Sequence, residues 1–116
     1  TKILSINSNK IFELVYSNLN FRSFLKYLDL SENLIRKIQF DFFKNYVNLE
    51  YLNLNKNMIN ELEEGCFNYL NSLIYLNLSH NQFDYLHFNI FSNLKNLVIL
   101  DLGFNNLSEL KHNIFE

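Results

Sequence analysis

The residue types of this chain recur every 24 positions. Written in rows of 24, its 116 residues make four full rows and a fifth of 20. Position 4 of the rows reads Leu4, Leu28, Leu52, Leu76, Leu100, and position 6 reads Ile6, Leu30, Leu54, Leu78, Leu102. Position 9 is Asn in every row: Asn9, Asn33, Asn57, Asn81, Asn105. Position 11 is apolar from Ile11 to Leu107 and position 14 from Leu14 to Leu110, while position 19 is Leu19 and then Phe43, Phe67, Phe91, Phe115. No insertion or deletion interrupts the rows, so the fold must be one unit repeated in register.

Each row predicts its own local structure. Apolar positions 4 and 6 around a polar position 5 are the signature of a short strand with one buried face. The Asn that follows falls where the chain must turn. Its amide can hydrogen-bond backbone groups that the bend leaves unpaired in its own row and the neighbouring one. The remaining anchors, at positions 11, 14, 19 and usually 22, are spaced too irregularly for one long helix and predict short turns or helical fragments. A single row cannot bury its own anchors, so rows must stack. Parallel strands about 4.8 Å apart then line one face, and the broader outer segments curve the stack so that this face is concave.

Row three, with Leu49-Glu50-Tyr51-Leu52-Asn53-Leu54 followed by Asn57, Leu62, Gly65-Cys66-Phe67 and Leu70, resembles the 24-residue typical class of the leucine-rich repeat, LxxLxLxxNxLxxLxxxxFxxLxx. The resemblance extends over the whole chain. Phe at position 19 separates it from the shorter intracellular classes, and the LxGxIP pattern of the plant class is not matched. The resemblance implies an α/β fold, a leucine-rich-repeat solenoid forming a horseshoe segment. Its parallel β-sheet would line the concave face, with short turns or helical fragments on the convex face. It also implies a binding surface, because the typical class is common in extracellular proteins. Toll and Toll-like receptor ectodomains, Slit-like guidance proteins, small proteoglycans and insect immune or adhesion proteins are examples.

Some positions depart from the pattern. Row one has Thr1, Leu19 and Arg22 at positions 1, 19 and 22, and row two has Tyr46 at position 22. The cysteine-rich caps usual in extracellular members are missing. The expectation is therefore a single solenoid segment over 1–116, with repeats 1–24, 25–48, 49–72, 73–96 and a truncated 97–116, internal to a longer protein. Uncapped end rows would open core cross-sections and strand edges, which is one route to self-association.

Other function classes fall away on composition and spacing. A 48% apolar and 16% aromatic content excludes a disordered chain. Ten Lys+Arg against twelve Asp+Glu give a net charge of −2, which supplies no field for a nucleic-acid partner. The longest apolar runs, such as Leu97-Val98-Ile99-Leu100, fall far short of the ~18 residues of a membrane span, so no membrane insertion is expected in this segment. The one cysteine, Cys66, sits beside the Phe67 anchor and reads as a structural thiol. His80, His87 and His112 occupy positions 8, 15 and 16 and do not align across the rows. With no CxxC or HExxH spacing, neither a metal nor a cofactor is expected. Glu61, Glu63 and Glu64 read as a solvated face, and two glycines, Gly65 and Gly103, make no phosphate loop. Nothing assembles a nucleophile with a base, so catalysis is not expected. Two glycosylation sequons, Asn77-Leu78-Ser79 and Asn106-Leu107-Ser108, match the number (about two) that chance gives for 21 Asn and ten Ser or Thr. A glycan on Asn77 would sit in the middle of the strand face and block it.

The solvent face of the strands remains. Position 3 reads Ile3, Tyr27, Tyr51, Tyr75, Ile99, and position 5 reads Ser5, Asp29, Asn53, Asn77, Asp101. Position 8 reads Ser8, Glu32, Lys56, His80, Phe104, and position 2 reads Lys2, Lys26, Glu50, Ile74, Val98. Mixed charge argues against a polyanion groove. Aromatic rings among Asp and Asn suit protein recognition, because Tyr combines large contact area with a polar tip. The candidate ligand contacts are Tyr27, Asp29, Tyr51, Asn53, Lys56, Tyr75, Asn77, His80, Ile99, Asp101 and Phe104. A stack of tyrosines can equally serve only to shield the sheet, and both roles stay open at this stage. The functional expectation is a non-enzymatic module that binds a protein or other macromolecule in an extracellular or cell-surface receptor, adhesion or innate-immune protein. The alternatives are a cytoplasmic scaffold or regulatory repeat protein, and a structural spacer.

Overall fold

The computed structural model describes residues 3–5 and 24–107. Seven strands follow in chain order: β1 (Ile3–Ser5), β2 (Tyr27–Asp29), β3 (Lys37–Ile38), β4 (Tyr51–Asn53), β5 (Glu61–Leu62), β6 (Tyr75–Asn77) and β7 (Ile99–Asp101). Five of them form one parallel sheet in the order β1-β2-β4-β6-β7. Its register steps by one row each time, Ile3 to Tyr27, Tyr27 to Tyr51, Tyr51 to Tyr75 and Tyr75 to Ile99. The 24-residue period in the sequence is thus the strand-to-strand step of a parallel solenoid. The middle residue of each strand, Leu28, Leu52 and Leu76, points inward and is buried, while its neighbours face out. This is the period-2 alternation that the Leu-x-Leu spacing requires.

The core lies between this sheet and the outer segments. Leu30, Leu54 and Leu78 from the strand side meet Ile35, Ile59 and Phe83, then Phe43, Phe67 and Phe91, all buried. The three phenylalanines stack in a column along the solenoid, with Phe43 and Phe67 centroids 6.3 Å apart and Phe67 and Phe91 6.2 Å apart. Burying each such side chain contributes roughly 1.5–3 kcal/mol, and the stacking on the ring of the adjacent row ties that contribution to the repeat. Tyr46, which departs from the repeat pattern, is buried as well and packs edge-on to Phe43 at 5.5 Å. Cys66 is fully buried next to Phe67, and burial pushes its thiol pKa well above the ordinary range. It is an inert packing group.

The outer side is made of turns and of the parallel pair β3-β5, with Lys37 opposite Glu61 and Ile38 opposite Leu62. Of the two expectations for this side, turns hold, and no α-helix occurs among the described residues. The row-to-row step brings positions 13 and 14 of adjacent rows to strand spacing, so their backbones pair across rows, where a helix would bond within its own row. Two residues of the acidic cluster, Glu61 and Glu63, have partners. Lys37 Nζ lies 3.6 Å from Glu61 and 3.3 Å from Glu63. Glu63 accepts the Phe40 N–H at 2.8 Å, and this bond, with Lys37 nearby, holds its carboxyl below the usual range. Gly65 follows at φ 80°, a left-handed turn that a side chain would strain.

Candidate functional site

The strand face is held from below by a turn that recurs in each described row. At position 5, Asp29, Asn53, Asn77 and Asp101 each use Oδ1 to accept the backbone N–H two residues on, from Ser31, Asn55, Ser79 and Gly103, at 2.9–3.0 Å. At position 8, Glu32, Lys56, His80 and Phe104 all lie in the left-handed region at φ 54–55°. That conformation costs a non-glycine residue about 1–2 kcal/mol. It persists because the ladder fixes the turn on both sides: Glu32, Lys56 and His80 each donate their N–H to the next row.

Asn at position 9 closes the turn. Asn57 Nδ2 donates to Leu30 O in the preceding row and to Leu54 O in its own, both at 3.0 Å. Its Oδ1 accepts Ile35 N–H at 3.1 Å. Asn81 repeats this with Leu54 O, Leu78 O and Ile59 N–H. Asn33 caps Leu30 O at 3.0 Å. Asn105 joins Leu78 O to Leu102 O, although its buried Oδ1 has no hydrogen-bond partner among the described residues. The amide therefore spends both donor and acceptor on backbone groups that would otherwise be buried unpaired. Asn9 lies outside the described residues.

Above this turn the candidate side chains assemble as follows. Tyr27, Tyr51 and Tyr75 stack face to face, at 4.1 Å and 6° for the first pair and 4.2 Å and 2° for the second. Burial between its neighbours, and then their hydroxyls, raise the Tyr51 pKa well above that of free tyrosine, so it stays protonated. His80 stacks on Phe104 at 4.3 Å and 12°. Lys26 pairs with Glu50 at 3.3 Å, both well exposed. Further along the sheet the same column turns apolar. Ile74 is 42% exposed although a row flanks it on each side, and Val98, Ile99 and Phe104 are 76%, 52% and 79% exposed. The face thus grades from charged in rows two and three to apolar in rows four and five.

Asp29, Asn53, Asn77 and Asp101 differ from the other candidates because one oxygen of each belongs to the turn. Asn77 is also only 8% exposed and donates its Nδ2 to Tyr75 Oη at 3.1 Å. A sugar on that nitrogen would displace Tyr75. Asn106, in the second sequon, is exposed. The sequence reading missed Ser79, whose hydroxyl bonds Asn77 Oδ1 at 2.6 Å. The position 7 column, Ser31, Asn55, Ser79, Gly103, signals it only as a run of small or polar residues. Of the histidines, His87 packs edge-on to Tyr85 at 5.4 Å, and His112 lies outside the described residues. No group of three or more His, Cys, Asp or Glu among the described residues is placed to hold a metal ion. No helix among them is long and apolar enough to cross a membrane.

Comparisons with known proteins agree with this architecture. No curated protein matches the chain, whereas 117 solved chains do. One, described as the crystal structure of the leucine-rich repeat domain of APL1B, superposes with a TM-score of 0.89 at 23% identity. The match covers 97% of this chain and 34% of that one, so this chain spans about a third of its length. At that identity the likeness speaks to the fold. The family model described as leucine rich repeat matches residues 23–83, just over half of the chain. With Asn ladder, phenylalanine column and parallel register in place, the chain belongs to the leucine-rich-repeat family.

Proposed function

We propose that this chain is a non-enzymatic binding module of an extracellular receptor, adhesion or innate-immune protein and takes a protein ligand on its strand face. Leucine-rich-repeat domains are commonly protein-binding modules. The observation that carries the reading is the continuity of the stacked tyrosines Tyr27, Tyr51 and Tyr75 with the exposed Ile74, Ile99 and Phe104 on the same face. Rigid aromatic area beside desolvatable aliphatic groups is what protein interfaces concentrate at their energetic centre. The typical-class repeat, common in extracellular proteins, supports the compartment.

The test is to probe an array of extracellular proteins with the immobilised chain and with Tyr51→Ala/Tyr75→Ala. The expected result is a binder of the parent chain that the double variant loses while it still melts cooperatively. Unchanged affinity with a lowered melting temperature would make the tyrosines a shield and refute the reading. Antibody labelling of the chain on intact cells checks the compartment, and label that enters only after permeabilisation would contradict it.

A further inference from the structure

The two sequons, Asn77-Leu78-Ser79 and Asn106-Leu107-Ser108, carry no weight by their number, but the fold gives their asparagines opposite surroundings. Asn77 is consumed by the turn. Its Oδ1 accepts the Ser79 backbone N–H at 2.9 Å and the Ser79 hydroxyl at 2.6 Å, and its Nδ2 donates to Tyr75 Oη at 3.1 Å. Asn77 and Ser79, the two residues that define the acceptor pattern, are both buried, at 8% and 4% exposure.

Asn106 is exposed, and its side chain makes no hydrogen bond among the described residues. Its backbone holds it in place, the N–H donating to Phe83 O at 3.1 Å. Both neighbours turn inward: Asn105 Nδ2 donates to Leu78 O and Leu102 O, and Leu107 packs against the core. In extended chain the residue between two inward-facing ones points out. Earlier rows repeat the arrangement at position 10. Leu34 is exposed between buried Asn33 and Ile35, Gln82 is exposed between buried Asn81 and Phe83, and Met58 is half-buried. Exposure at this position therefore belongs to the row pattern and does not depend on row five being the last one described.

The route of the chain separates this position from the strand face. Between Asp101 on β7 and Asn106 the backbone passes the left-handed corner at Phe104, φ 55°. Position 10 lies beyond that corner, on the flank of the solenoid and off the sheet that carries Tyr51 and Tyr75.

We propose that Asn106, and not Asn77, is an N-glycan acceptor of this chain, and that its sugar covers the flank of row five and leaves the tyrosine face open. The proposal rests on the extracellular placement argued above, since this modification belongs to secreted chains. The donor is an oligosaccharide carried on a lipid diphosphate. Asn106 Nδ2 loses one proton and bonds to the anomeric carbon, the carbon–oxygen bond to the diphosphate breaks, and the lipid diphosphate leaves. The same transfer to Asn77 would prevent folding, because its Nδ2 faces Tyr75 Oη inside the turn with no room for a sugar ring.

The experiment secretes the full chain from a eukaryotic host behind a cleavable signal peptide, beside Ser79→Ala and Ser108→Ala. Each variant deletes one acceptor pattern without altering its asparagine. Peptide mapping of the secreted protein is expected to find sugar on Asn106 in the parent chain and in Ser79→Ala, and no sugar in Ser108→Ala. Sugar on Asn77 in secreted protein that melts cooperatively overturns the proposal, as does an unmodified Asn106. Hydroxyl-radical labelling of Tyr51 and Tyr75 should be equal in the glycosylated parent and in Ser108→Ala, and protection of either ring by the sugar contradicts the flank placement. Should Ser79→Ala fail to fold, the parent and Ser108→Ala still decide, whereas retention of all three chains inside the cell overturns the proposal. The antibody labelling described above separates the two failures: label that enters only after permeabilisation refutes the extracellular reading whatever the mapping finds, and the proposal falls with it.

Discussion

The turn beneath the strand face and the side chains on top of it come from the same short stretch of each row, yet they vary by opposite rules. Beneath, position 9 is always Asn, because Asn57 and Asn81 use amide donor and acceptor together. Position 5 is Asp or Asn in rows two to five, because only Oδ1 is needed. On top, position 8 holds Glu32, Lys56, His80 and Phe104 in one backbone conformation. The contrast lies in which atoms the fold consumes. Where it uses the whole side chain, one residue type is allowed; where it uses one oxygen, two are; where it uses only the backbone, the side chain is free for recognition.

Three substitutions try to break that contrast, in order of expected effect. Asn57→Asp keeps size and acceptor but removes the donors to Leu30 O and Leu54 O and sets a carboxylate against two buried carbonyls. It should cost about 4 kcal/mol, read as a fall in the denaturation midpoint. A loss below about 1 kcal/mol would show that the Asn ladder is dispensable. Lys56→Gly should relieve the left-handed strain and stabilise by about 1 kcal/mol after the unfolded-state entropy of glycine is counted. Clear destabilisation would mean that the Lys56 side chain packs structurally. Asn53→Asp, one turn position away from Asn57, should change stability by less than about 0.5 kcal/mol, since Asp29 and Asp101 already fill that role. Urea titrations of Asn53→Asp and Asn57→Asp side by side give the sharpest form of the comparison.

The sequence exposed what recurs as a residue type at a fixed place in the row. Leu28, Leu52 and Leu76 point inward, the phenylalanine column at Phe43, Phe67 and Phe91 forms, and Asn57 bridges rows because each has a fixed place in the 24-residue step. Features that recur in the backbone without fixing a residue type stayed hidden. The outer pair β3-β5 is two residues long, too short to alternate. The left-handed corner at position 8 leaves no trace in Glu32, Lys56, His80 or Phe104, none of which is a glycine. Asp29 and Asn77 read from the sequence as ligand contacts only, and it takes the Oδ1 distances to show that each also closes a turn. The tyrosine column was legible, but its closure into a face-to-face stack over Asn77 required geometry.

A binding role for this chain requires that the strand face, and not the outer turns, meets the protein ligand. Hydroxyl-radical footprinting of the chain with and without a ligand recovered from the protein array tests this most directly. Both sides carry reactive exposed rings, Phe104 on one and Phe40, Tyr85 and Phe88 on the other. Binding on the strand face protects Tyr51, Tyr75, His80 and Phe104 and leaves Phe40, Tyr85 and Phe88 unchanged. Protection of the outer rings with the tyrosine stack left reactive would contradict it.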